Sequence, residues 1–108
     1  KGPLIIEPGG FIAFGHIPVG TAKSKTIKII PTDDFDLQVE SIEFQDLKVP
    51  EGHTDKLQVT PSKDGKTLVL EIKVIEGMPK TSLRGKIIVK LNHPAAPEKV
   101  FQFNGFVR

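Results

Sequence analysis

The chain contains no cysteine, no tryptophan and no tyrosine. Without cysteine there can be no disulfide, no cysteine-ligated zinc and no thiol nucleophile. The compartment stays open, because cysteine-free chains suit a reducing cytosol and many exported bacterial proteins alike. Sugar-binding platforms favour Trp and Tyr, whose rings stack while a polar tip stays wet. Here all seven aromatics are Phe, which counts against such a platform.

Charge of one sign is lacking as well. Fifteen basic and thirteen acidic residues leave a net charge of +2, too balanced for a nucleic-acid footprint despite a pI near 8.9. Lys23, Lys25 and Lys28 on one segment, and Lys86 and Lys90 on another, alternate with apolar residues. That spacing predicts lysines on the solvent side of strands, where they blunt sheet edges. No apolar run approaches the length that spans a bilayer, so no direct membrane insertion is expected. A helical period is missing too, and nine prolines are scattered through the chain.

What is present is alternation. Leu68, Leu70, Ile72 and Val74 interleave with Val69, Glu71 and Lys73, the pattern of a half-buried strand. Ile27 and Ile29 form a second such run, and Ile87, Val89 and Leu91 a third. Leu57 and Val59 start a shorter one that Pro61 is expected to stop. Phe101, Phe103 and Val107 share one parity, with Gly105 between them. Too few residues follow Asn104-Gly105 for a returning strand, so that glycine predicts a bulge or a close backbone approach.

Parity changes within residues 35–44. Phe35, Leu37 and Val39 point one way, whereas Ile42 and Phe44 lie on the other. One core can hold both sets only if an extra residue intervenes, which places a bulge near Glu40 and Ser41 or a change of sheet there. Turn-forming clusters separate the runs: Pro8-Gly9-Gly10, Pro31-Thr32-Asp33-Asp34, Pro50-Glu51-Gly52, Ser62-Lys63-Asp64-Gly65 and Asn92-His93-Pro94. Asp64-Gly65 is the cleanest hairpin signal. Seven or eight short strands in 108 residues predict an all-β, immunoglobulin-like sandwich, residues 1–108 forming a single domain. A chain of this length buries about two-thirds of its unfolded surface, enough for a core without disulfides. It begins at Lys1 rather than methionine and shows no signal peptide, which predicts an excised domain or processed product.

Phe11-Ile12-Ala13-Phe14-Gly15-His16-Ile17-Pro18-Val19-Gly20, followed by Lys25-Thr26-Ile27-Lys28-Ile29-Ile30, resembles the opening of a bacterial immunoglobulin-like family, domain of unknown function 1573. Related openings occur in major-sperm-protein-like domains of cilia and centrosomes. In that pattern an aromatic-glycine pair ends the first strand and a second glycine turns the chain. Leu91-Asn92-His93-Pro94, then Pro97, then Val100 to Val107 with Gly105 inside, resembles the closing hairpin of the same family. Pro31-Thr32-Asp33-Asp34-Phe35 departs from the Asn-Thr/Ser-Gly turn usual after its second strand. The resemblance implies an accessory or tandem-repeat module, often of exported bacterial proteins, and brings no catalytic residue.

Candidate chemistry is sparse. His16, His53 and His93 are far apart and fit no ligand spacing, so they are expected on solvent-facing loops. His16 falls in the first turn, and a ring nitrogen of His93 is placed to bond the local backbone. Asp33, Asp34 and Asp36 form the densest acidic cluster. Their oxygens would suit calcium, but no further acid or glycine completes a known loop, and aspartates favour turns in their own right. Glu40, Glu43 and Asp46 are expected to face solvent from a strand. Neither a Gly-x-Ser-x-Gly elbow around Ser24, Ser41, Ser62 or Ser82 nor a phosphate-cradling glycine loop occurs. No catalytic residue, cofactor or metal site is expected. Phe106, of opposite parity to Phe103, is a candidate contact surface.

The sequence therefore predicts a non-catalytic structural or protein-interaction module of a larger, exported protein, binding through strand edges or end loops. Its partner would be another protein or a neighbouring domain of the same chain. The competing reading is an accessory domain for calcium or carbohydrate.

Overall fold

The computed structural model describes residues 2–108. Eight strands follow one another along the chain: β1 (Leu4–Glu7), β2 (Phe11–Ile17), β3 (Lys23–Pro31), β4 (Val39–Lys48), β5 (Leu57–Asp64), β6 (Thr67–Val74), β7 (Thr81–Leu91) and β8 (Glu98–Val107). The only helical element among the described residues is a 3-10 turn at Thr54–Lys56. Two four-stranded sheets result, in the orders β1-β3-β6-β5 and β2-β8-β7-β4. Their inner faces close on each other as an immunoglobulin-like sandwich, as the alternation predicts.

The first sheet contributes Ile27, Ile29, Leu68, Leu70, Ile72 and Val74 to the core, all buried. From the second come Phe14, Ile17, Leu83, Ile87, Val89, Phe101 and Phe103. Each such side chain contributes about 1.5–3 kcal/mol by leaving water. Phe14 and Phe103 meet edge to face, with ring centroids 6.4 Å apart and planes at 84°.

Pro8-Gly9-Gly10 carries the chain from β1 in one sheet to β2 in the other. β2 then runs parallel to β8, and between Ala13 and His16 it spends three steps where β8 spends two. The extra residue falls at Gly15, whose φ of 65° is the left-handed region glycine enters freely. This bulge lets Phe14 and Ile17, of opposite parity, both reach the core. The expectation that Phe14-Gly15 ends a strand is thus corrected, because the strand continues to Ile17, whereas the second glycine does turn the chain, at Gly20 (φ 84°).

At Gly105 the two sequence readings separate. The β7–β8 register runs unbroken through Leu83↔Gly105, so β8 has no bulge there. The close approach is real, because a Cβ on Gly105 would stand 2.9 Å from Cβ of Phe14.

The bulge expected near Glu40 and Ser41 is present: Val39 pairs Leu91 while Ser41 pairs Lys90, leaving Glu40 as the extra residue. Phe35 and Leu37 lie ahead of β4 in an extended segment, yet Leu37 is fully buried. Asn92 makes this possible by standing in for a strand. Its Oδ1 accepts from the Gln38 N–H (2.7 Å), its Nδ2 donates to the Asp36 carbonyl (3.1 Å), and its own N–H donates to the Gln38 carbonyl (3.1 Å). From the opposite sheet Lys63 Nζ donates to the Leu37 carbonyl at 2.6 Å.

Pro61 does not stop β5, which continues to Asp64 in unbroken register with β6. A two-residue loop, Gly65-Lys66 with Gly65 at φ 63°, makes Asp64 and Thr67 a hydrogen-bonded pair. Alternation from that pair turns the nitrogen of Pro61 to the open edge, where no donor is needed.

Candidate functional site

Three groups of side chains were open to a functional role: the aspartates after β3, the histidines, and the surface beside Phe106.

The aspartates diverge. Asp34 pairs with Lys66 (3.1 Å), Asp36 with Lys63 (3.3 Å), and Asp33 lies 3.7 Å from Nε2 of His93. Each carboxylate faces a different base, and no group of three or more His, Asp or Glu placed to hold a metal occurs among the described residues. Asp36 is held below the ordinary aspartate value, first by the Gln38 side-chain amide at 3.1 Å and then by Lys63.

The histidines do not converge either. His16 sits exposed in β2, not in a turn as expected, because the bulge extends that strand. His53 is half-buried, its Nδ1 donating to the Glu51 carbonyl at 3.0 Å. His93 overturns the solvent-facing expectation, since it is only 5% exposed. Its ring packs on Phe35 with centroids 4.4 Å apart, and Nδ1 accepts the Ala95 N–H at 3.1 Å, the local backbone bond that the sequence suggested. With Nδ1 accepting, the neutral ring carries its proton on Nε2, the nitrogen nearest Asp33. That nitrogen is buried and makes no direct hydrogen bond. The ring thus ties the loop between β7 and β8 to Phe35.

The third group is extended. Along β8, Phe101, Phe103 and Val107 point inward, so Val100, Gln102, Asn104 and Phe106 project from the outer face. Phe106 is 42% exposed, as its parity suggested, with the Arg108 guanidinium 5.2 Å from its ring centroid. Two further apolar side chains share this face: Val100, and Phe11 on β2, which is 56% exposed and pairs with Gln102. Sequence reading missed both, although the parity of Ile12 and Phe101 carried the signal.

Beside Phe11 a groove of about 490 Å³ crosses the sheet, bordered by Gln102 and Asn104 of β8, Arg84 and Lys86 of β7, and Lys48 of β4. Its far wall depends on a second bulge in β4, where Gln45 pairs Lys86 and Lys48 pairs Arg84. Asp46 occupies the bulge at φ 52°, a left-handed conformation Asp tolerates, and its carboxylate reaches Lys86 at 3.4 Å. Glu40, Glu43 and Asp46 are all exposed, as expected.

No family model matches the chain, and no curated protein matches it in sequence. Among solved structures it is similar to the GspB Siglec domain, with a TM-score of 0.66 at 10% identity. All of this chain is covered, and it spans 58% of that one. At such identity the likeness speaks for the fold. The immunoglobulin-like sandwich is therefore supported from outside the chain, whereas kinship with family 1573 remains a resemblance of motifs.

Proposed function

We propose that this domain is a non-catalytic protein-interaction module of a larger protein, and that its partner seats on the outer face of the β2-β8-β7-β4 sheet. The observation that carries this reading is that Phe11, Val100 and Phe106 all project from one sheet face. Single exposed apolar residues are ordinary on any protein. Three on one face, two of them aromatic, supply the desolvating anchors on which interfaces depend.

Strand addition is the weaker mode for this chain. β1 has four residues, β5 carries Pro61, and β2 and β4 are bulged. Short, proline-bearing and bulged edges resist pairing with another strand. Resemblance of both chain ends to family 1573 supports a place among tandem modules of an exported bacterial protein. The fold likeness to a domain named Siglec supports binding over catalysis.

The test is affinity capture with the wild-type domain, a Phe11→Ser/Val100→Thr/Phe106→Ser variant, and a Thr26→Ser/Lys28→Ser control on the other sheet. Thermal melts establish that all three are folded. Loss of a captured protein in the first variant, with retention in the control, is the expected result. Equal capture by all three would refute the assignment of this face.

A further inference from the structure

The groove beside Phe11 has a charge that its own surroundings do not cancel. Lys86 is paired with Asp46 at 3.4 Å. Among the described residues, no acid comes within 4.0 Å of Arg84 or Lys48, which border the same groove. Both are exposed, and they sit opposite each other in the β4–β7 register. Directly paired residues on one face stand about 5 Å apart, close enough for one carboxylate to engage both. Across the groove Gln102 and Asn104 offer amides, and Phe11 closes it with an exposed ring.

We infer that the groove docks an acidic segment of a protein partner, one carboxylate bridging Arg84 and Lys48 while an adjacent apolar side chain packs on Phe11. This rests on the outer face being the interaction surface and adds the chemistry of the partner. Two features select an acidic peptide over a basic or neutral one. Two unpaired cations on directly opposed residues repel a third, and a guanidinium forms its strongest hydrogen bonds with a carboxylate. The four strands span about 14 Å across the sheet, the length of four or five extended residues.

The probe is a ten-residue peptide of glutamate with two leucines, titrated into labelled domain and followed by amide NMR, beside the same peptide with glutamine for glutamate and beside inorganic phosphate. Localised shifts at Lys48, Gly85, Gln102 and Asn104 are expected with the acidic peptide alone, weakening at least tenfold between 50 and 500 mM salt, on the order expected for exposed charges. Arg84→Glu and Lys48→Glu, both on solvent-exposed positions and checked by thermal melt, should abolish them. Equal shifts with phosphate would reduce the site to a bare anion site and overturn the proposal. So would unchanged binding by Arg84→Glu, or an absence of localised shifts. If a captured partner is lost with the Phe11/Val100/Phe106 variant but kept by Arg84→Glu, the acidic-peptide inference falls while the assignment of the face stands.

Discussion

Phe14 occupies the space that a side chain at Gly105 would need: a Cβ there would lie 2.9 Å from the Cβ of Phe14 and 3.5 Å from the Gly15 carbonyl oxygen. The contact joins the bulge in β2 to the last strand, beside which β2 runs parallel. Because the opposing atom is a Cβ, fixed to the backbone, no rotamer change relieves the clash.

Gly105→Ala should therefore destabilise the domain by about 1–3 kcal/mol, the usual cost of overpacking a core. Gly85→Ala is the comparison. Its Cβ would meet Leu47 Cδ1 at 2.9 Å and the Phe103 ring at 2.9 and 3.1 Å. Half-buried Leu47 can turn aside and the buried Phe103 ring must tilt, but neither opposing atom is fixed to the backbone. Urea unfolding should show the smaller loss for Gly85→Ala; equal losses would mean that the β2–β8 approach is not rigid.

Asn92 makes three hydrogen bonds to residues 36–38, two of them through its side chain. Asn92→Ala should cost about 1–2 kcal/mol and leave the Gln38 amide to exchange faster. Asn92→Asp keeps the acceptor for the Gln38 N–H but loses the donor to the Asp36 carbonyl, so it should fall between the two. Amide exchange at Gln38 reads the difference directly.

Acid should weaken the Asp36 anchorage. Its carboxyl is held below the ordinary value by Gln38 and Lys63, so the folded state binds a proton there less readily than the unfolded chain. The resulting stability is complete above the unfolded carboxylate value and is lost as pH falls through the lower folded one. Asp36→Asn should flatten the urea-midpoint curve below about pH 4 and leave it parallel to wild type above pH 5.

Calcium should find no site at Asp33, Asp34 and Asp36, since each of the three faces its own base. A calcium titration to millimolar levels, followed by amide NMR, should move no resonance in residues 33–36 selectively. Saturable shifts confined to that loop would restore the accessory-domain reading.

Much of the fold was legible in the sequence because alternation is local. Whether Leu68, Leu70, Ile72 and Val74 share a face depends only on the two-residue repeat of an extended chain. The parity change from Leu37 to Ile42 likewise demanded the extra residue found at Glu40. The burial of His93 was not legible, since it depends on Phe35 arriving from a segment more than fifty residues earlier. Nor was the reach of β5 past Pro61: a proline's tolerance depends on which side of the strand is open, and a single strand does not say so.

The sequence by itself determined the class of the molecule: β-strands with one apolar face, and no cysteine chemistry. Only the tertiary structure decided which exposed side chains share a face. Parity says that Phe11, Val100 and Phe106 each oppose a buried neighbour. That they share one sheet face with Arg84 and Lys48 follows from the pairing of β2 and β4 with distant strands. Pairing between strands is a long-range choice, made by the packing of the whole core, and no short window of residues contains it.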